Sequence, residues 1–338
     1  MITKRFFGTT KNGEDVHAYT LENDRGIAVT VLDYGATLQS VVLTHKGERI
    51  DVLLGYDTIE EYEQNDGYLG ASIGRFAGRI PDAELRIGSD VFPVTANEGK
   101  NQLHGGKVGF DKRIWTVEQI HSDSEKIRGD FISFSLRSRD GDEGYPGDAE
   151  FHVQYGLYGL IGRMLGIAYS AASDRVTAWN PTNHAYWNLN GHDAGDARGH
   201  FLELPADRYV PVDSACIPLG TEADVAGTRF DFRKLRKIAD AYDHSFVLNG
   251  HVLQLFGSRG IGMQVRTDCK AVQLYTAEYL TERKGKGGAI YRPFGAVCLE
   301  TEGRQTMPDR PVAPENILPG EGQSVHTTTH YRFIYEED

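Results

Sequence analysis

Residues 180–191 read NPTNHAYWNLNG, and that mixture is unusual in a soluble chain. His184 offers a proton-transfer group. Asn183 offers amide donors and an acceptor. Tyr186 or Trp187 offers a flat apolar face. A strand-end histidine satisfied by backbone, with core aromatics beside it, would give the same pattern. NQLHGGKVGFDKRIW (101–115) sets His104 ahead of Gly105 and Gly106. Two glycines let a backbone pass close to a bound molecule; a histidine in a surface turn fits as well. GRFAGRIPDAEL (74–85) holds Arg75 and Arg79. Arginine's planar fork suits vicinal hydroxyls or a carboxylate, and ordinary salt bridging is the preferred reading of Arg75. YDHSF (242–246) puts Asp243 before a histidine. In CLETEGRQTMPDRP (298–311), Glu300 follows the apolar run FGAVCL. A carboxylate in a buried strand can have a raised pKa and act as a base; an exposed strand-end acid is the alternative. One His, one Glu, Arg, Asp, amides and aromatics together suit proton transfer on a neutral, polyhydroxylated ligand.

Other chemistries lack their signals. His184, His192 and His200 are evenly spaced with Asp193 and Asp196 between them, but the spacing is not that of one helix face, and HExxH is absent. No metal is expected. The phosphate-binding loop, the dinucleotide-binding glycine fingerprint and the nucleophile elbow are missing too, so phosphoryl transfer, hydride transfer and serine hydrolysis lack their usual signals. The formal net charge of −12 argues against nucleic acid and against an acidic membrane surface. Cys216, Cys269 and Cys298 are odd in number and form no CxxC motif; they read as small buried hydrophobes in a reducing compartment. The N-terminal residues lack a signal-peptide core, and no apolar run approaches the ~20 residues of a membrane span. A cytoplasmic protein is expected.

The elements that must position these residues are strands. GIAVTVLDYGATLQSVVL (26–43) gives two β-branched runs around a turn. Runs at 51–55, 131–140, 151–159, 163–173, 175–180, 208–213, 263–268, 271–276 and 325–335 continue the texture, with turn clusters at 121–124, 139–148, 190–196 and 218–224. In FISFSLRS, Phe131, Ser133 and Ser135 oppose Ile132, Phe134 and Leu136. Only 58–65 and 233–240 look helical, and no βαβ alternation appears. The reading is all-β: one domain over residues 1–338, a large antiparallel β-sandwich with long loops at one face, where function usually lives.

NQLHGG with GFDKRIW, GDEGYPGD (141–148), NPTNHAYWNLNGH, the DH of YDHSF, QLYT, and CLETE with the following Pro308–Asp309 together resemble the galactose mutarotases (aldose 1-epimerases). The resemblance runs from GATLQSVVL to TTTHYRFIY. It implies a β-supersandwich, no metal or organic cofactor, and a monomer or homodimer acting on a free aldose such as galactose or glucose. Related hexose-6-phosphate mutarotases generally lack the LHGG form, so an unphosphorylated sugar is implied. The resemblance implies Glu300 as general base and His184 as general acid. Arg79, His104, Asp243 and Gln273 match positions that bind sugar hydroxyls or assist near the ring oxygen, and Tyr186 lies in the same ligand-lining segment. The expected reaction removes the O1 proton while the ring oxygen is protonated; the ring opens, C1–C2 rotates, and the ring closes on the other face. Two departures leave the preferred sugar open. Gly78 stands where many members have Asn, and YTAE replaces YTGN, so that Glu278 could reshape the pocket. A sugar sensor on the same scaffold would lack His184 or Glu300, and a glycoside hydrolase would want two carboxylates flanking a bond.

Overall fold

The computed structural model describes residues 1–123, 129–158, 163–250, 252–305 and 308–335. Gly159 and Ser124, at the ends of two of the expected segments, lie outside them. Three large antiparallel sheets make up the fold. The first pairs Ile2–Thr9, Asp15–Glu22, Ile27–Leu32, Leu38–His45 and Glu48–Asp51 in chain order. The second has nine strands, in the order Thr116–His121, Asp130–Ser138, Ala149–Tyr158, Met164–Ser173, Ser324–Ile334, Gly262–Thr267, Val252–Phe256, Phe201–Glu203 and Arg236–Lys237. The alternation in FISFSLRS does what the pattern predicts: Ile132, Phe134 and Leu136 enter the main apolar cluster, while Phe131 stacks on His121 on the other face.

The third sheet positions the site. We label four of its strands β1 (Tyr186–Trp187), β2 (Asp243–Val247), β3 (Ala271–Tyr275) and β4 (Val297–Glu302). Their order is β1-β4-β3-β2, continued by Arg208–Tyr209 and Ala223–Asp224. Residues two apart on a strand share a face. On one face Trp187, Phe246, Val272, Leu274, Val297 and Leu299 join the apolar cluster shared with Val265, Tyr331 and Phe333 of the nine-stranded sheet. The opposite face carries Tyr186, Asp243, Ser245, Gln273, Tyr275, Glu300 and Glu302, all lining one cavity. The register sets Gln273 beside Glu300, Ser245 beside Gln273, and Tyr275 beside Asp243.

Some expectations change. The segment 58–65 does hold a short helix, Ile59–Glu63, closed by a capping box of Thr58 and Glu61. The segment 233–240 is not helical: Arg236–Lys237 pairs with Phe201–Leu202 at a sheet edge. So short a charged run is marginal as a helix, and tertiary pairing decides its form. The runs at 51–55, 175–180 and 208–213 are strand only at Asp51, Thr177–Ala178 and Arg208–Tyr209. Beyond Tyr209 the chain turns out through Pro211, which has no N–H for a ladder. Its residues Val210, Val212, Ser214, Ala215, Cys216 and Pro218 then form a wall of the cavity. No helix among the described residues is long and apolar enough to cross a membrane.

Candidate active site

Above the polar face of the β1–β4 sheet lies a cavity of about 680 Å³, within the size range of small-molecule sites. Glu300, His184, Arg79, His104, Tyr186, Asp243 and Gln273, chosen from sequence, all line it. Glu300 stands in the middle of β4 and is 3% exposed. His184 Nε2 lies 3.7 Å from Glu300 Oε2, beyond hydrogen-bond range but close enough for one proton to matter to both.

The backbone fixes His184. Its N–H donates to Ala71 O and its carbonyl accepts from Gly70 N–H, each at 2.9 Å. Asn183, whose amide offered donors and an acceptor in sequence, donates to Gly70 O at 2.9 Å and so ties down the same turn. The His184 ring is stacked between Tyr186 at 5.0 Å and Tyr68 at 6.0 Å, with His104 edge-on at 5.3 Å. Tyr186 is itself held by its hydroxyl, which donates to Gly67 O at 2.7 Å. Trp187 points the other way, into the core against Tyr331 and Phe333.

His104 sits in a left-handed conformation at φ 51°. Its Nδ1 accepts from Gly78 N–H at 3.2 Å, which leaves the proton of a neutral ring on Nε2. Burial, with His184 and Arg79 nearby, holds its pKa well below the usual imidazole range. His104 is thereby a donor towards the cavity. The two following glycines do not serve the ligand as expected. A Cβ on Gly105 would stand 1.9 Å from Gly74 O, and one on Gly106 would stand 2.1 Å from the Glu143 carboxylate. They admit protein, not ligand.

Arg79 makes a bidentate pair with Glu98, Nε to Oε2 at 2.7 Å and Nη2 to Oε1 at 2.8 Å. Its Nη1 stays 3.8 Å from Asp243 Oδ2. Gln273 Nε2 donates to the other Asp243 oxygen at 2.6 Å. Gln273 Oε1 and Ser245 Oγ are buried in the cavity lining without a hydrogen-bond partner. Buried polar atoms are normally paired, so their clustering here marks a surface built for a hydroxylated ligand. Arg75, only four residues before Arg79, is structural, though not through the salt bridges expected: its guanidinium donates to the carbonyls of Ser138, Arg139, Pro146 and Gly147 and to the hydroxyls of Ser138 and Thr177. Glu278 is absent from the cavity lining; its carboxylate accepts from Thr276 Oγ1 at 3.0 Å.

Burial dominates the electrostatics. It pushes Glu300 well above the usual carboxylate range, helped by Glu302 and opposed by Arg79. It pushes His184 down to about 4. Both shifts favour neutral forms, so the pair holds a single proton over a wide pH range. Donor atoms of His104, His184 and Glu300 lie within 4.8 Å of one another, close enough to surround a cation. The protonated cavity-side nitrogen of His104 makes that set fit proton handling better than metal ligation. His192 and His200 are elsewhere: His192 bonds Tyr291, and His200 accepts from Leu189 N–H in the core.

Tyr68, Glu98, Ser245, Glu302, Gln305 and the 210–218 wall also line the cavity. Sequence reasoning singled out none of them: Ser245, Glu302 and Gln305 lie inside the quoted segments YDHSF and CLETEGRQTMPDRP but carried no role there, and the i, i+2 spacing from Glu300 was the signal available for Glu302.

The profile of the aldose 1-epimerase family matches residues 17–332. An aldose 1-epimerase from Haemophilus influenzae is 37% identical, over 91% of this chain and 92% of the relative. A galactose mutarotase from Bos taurus is 34% identical over 97% of both. Among solved structures, a galactose 1-epimerase from Lactobacillus acidophilus superposes with a TM-score of 0.87 at 29% identity, covering 100% of this chain and 99% of that one.

Proposed function

The chain belongs to the aldose 1-epimerase family and interconverts the anomers of a free aldose, and from that premise we propose that Glu300 and His184 carry the proton transfers. The observation that carries this reading is their placement: an isolated carboxyl and imidazole 3.7 Å apart on the floor of the cavity. The reactive form is carboxylate and imidazolium. Glu300 takes the O1 proton as His184 protonates the ring oxygen, and ring closure reverses both transfers. The opposed shifts make the neutral pair the resting form, and the carboxylate–imidazolium form is its tautomer with the same single proton, so the reaction can run in both directions without net proton uptake. His104 Nε2–H, Arg79 Nη1 beside Asp243, Asp243 itself and Gln273 bind hydroxyls, and Tyr186 keeps the His184 ring in plane.

Gly78 and Glu278 were the departures bearing on sugar choice. Gly78 lies on the cavity wall, whereas Glu278 lies off it, so Gly78 is the one to follow. We further read the chain as one domain, supported by an apolar cluster that runs from Tyr19 to Tyr335, and place it in the cytoplasm, supported by three free cysteines. The test is polarimetry on fresh α-D-galactose and α-D-glucose with EDTA present. Faster approach to the same final rotation supports the reading; no acceleration for any aldose by the intact protein would overturn it.

A further inference from the structure

A second carboxyl stands in the cavity floor, and the proton transfers do not use it. Glu302 follows Glu300 by two residues on β4 and so shares its face. It is 1% exposed and lines the cavity. Its partners are amides, not cations: Oε1 accepts from Gln305 Nε2 at 2.5 Å and Oε2 from Asn180 Nδ2 at 3.4 Å. A buried carboxyl without a cation is costly to maintain, and burial pushes this one up to about 8.

Gln305 is the other half of the arrangement. Its amide lies on Gly78, whose φ is +80°; a Cβ at position 78 would stand 2.7 Å from Gln305 Oε1 and 2.8 Å from Nε2. Glycine at 78 clears the space that this amide fills. Glu302 fixes one end of the amide. Among the described residues the other end has no partner, and Gln305 lines the cavity.

We propose that Glu302, Gln305 and the Gly78 backbone form a hydroxyl-reading subsite that recognises an aldose hydroxyl remote from C1 and sets which sugar binds. This rests on Glu300 being the group at C1. Side chains two apart on a strand stand ~6.6 Å from each other, about the reach from the anomeric oxygen to a hydroxyl across the ring. The amide end takes a neutral hydroxyl. An anionic substituent there would stand beside two buried carboxyls whose surroundings already disfavour charge, and Arg79 Nε and Nη2 are committed to Glu98.

The experiment compares the parent chain with Gln305→Ala and Gln305→Met on D-galactose and its monodeoxy analogues, by polarimetry, with melting temperatures as the folding control. The Met variant keeps bulk over Gly78 and removes only the amide. In both variants KM for galactose should rise ~10-fold, the scale of one lost buried hydrogen bond, with kcat changed far less. For one monodeoxy sugar, parent and variants should converge, because the hydroxyl that the amide reads is gone. An unchanged KM in both variants, or an equal loss on every analogue, overturns the subsite. Glu300→Gln is run alongside: full turnover there would sink the catalytic assignment whatever the Gln305 variants do, so the two failures are distinct.

Discussion

Leu299 and Glu300 are adjacent on β4, yet they live in different solvents. Leu299 enters a close-packed apolar layer shared with the nine-stranded sheet. Glu300 enters a cavity in which buried polar atoms go unpaired. The same contrast holds for Leu274 against Gln273 and for Phe246 against Ser245. On the core face each such side chain contributes about 1.5–3 kcal/mol by burial. On the cavity face, desolvated carboxyls and unsatisfied amides act against the fold. One sheet therefore uses the stability of its inner face to hold reactive groups of its outer face at fixed spacing, which a loop could not do.

Changes on each face should separate the two roles. The largest effect is expected at Glu300→Gln, which removes the proposed base: turnover should fall by about 10³- to 10⁴-fold, with sugar binding retained. Stability should not fall. Glu300's pKa is raised in the folded state, so its contribution is full below the unfolded value near 4.5 and is lost as pH rises towards the folded value. At neutral pH the neutral amide should melt at the same temperature or higher. A variant that keeps wild-type rates by polarimetry would remove Glu300 from the chemistry. Leu299→Ala tests the opposite face: a urea melt should show a loss of about 2–5 kcal/mol. The fraction that stays folded should keep the parent's pH profile, and a shifted profile would mean that the two faces are coupled.

His184→Asn should lower turnover by about 10²-fold while leaving KM nearly unchanged; a rise in KM alone would make the imidazole a binding group. The parent's own pH profile then sharpens the electrostatic side of the contrast. In the proposed mechanism activity needs one proton on the Glu300–His184 pair. The second proton leaves as pH rises through about 4, where burial holds His184. The remaining proton leaves only beyond the raised Glu300 value. Hence kcat/KM should climb near pH 4, stay level, and fall at the upper limb. An acid limb near 6.5 would show His184 titrating as an exposed imidazole and would break the account of burial. Smallest of all, Arg79→Ala should raise KM ~10-fold with a lesser change in kcat, since the Nη1 donor would be lost while Asp243, Gln273 and His104 remain.

What could be seen in advance follows the same division. The antiparallel architecture was legible in β-branched runs and turns, because alternation is a local property. His184, His104, Arg79, Asp243, Gln273 and Glu300 stood out through motifs. Their convergence came from the register of β2, β3 and β4, which no local pattern encodes. Glu98 was invisible because a glutamate in a polar loop looks like any solvated acid until Arg79 is placed beside it. Gln305 was invisible because its role depends on space left at Gly78, far away in the chain. The segment 233–240 failed for the related reason that an edge strand, once available, outcompetes a weak helix. Arg75 and Arg79 looked alike in sequence and differ only in what surrounds them: carbonyls for one, a carboxylate and the cavity for the other.

The amines around the cavity have a chemical consequence. A ring-opened aldose is a free aldehyde, and aldehydes condense with neutral amines to form Schiff bases. Lys100 is the one lysine among the described residues that line the cavity. Its ammonium is bonded to Asp82 at 2.6 Å, and that bond raises its pKa above the usual lysine value. Lys286, the buried lysine nearby in sequence to β4, is sealed against Asp51 and Gln39 O. The open-chain aldehyde formed at every turnover thus meets no neutral lysine amine among the described residues that line the cavity, which guards that surface against Schiff-base formation by its own intermediate.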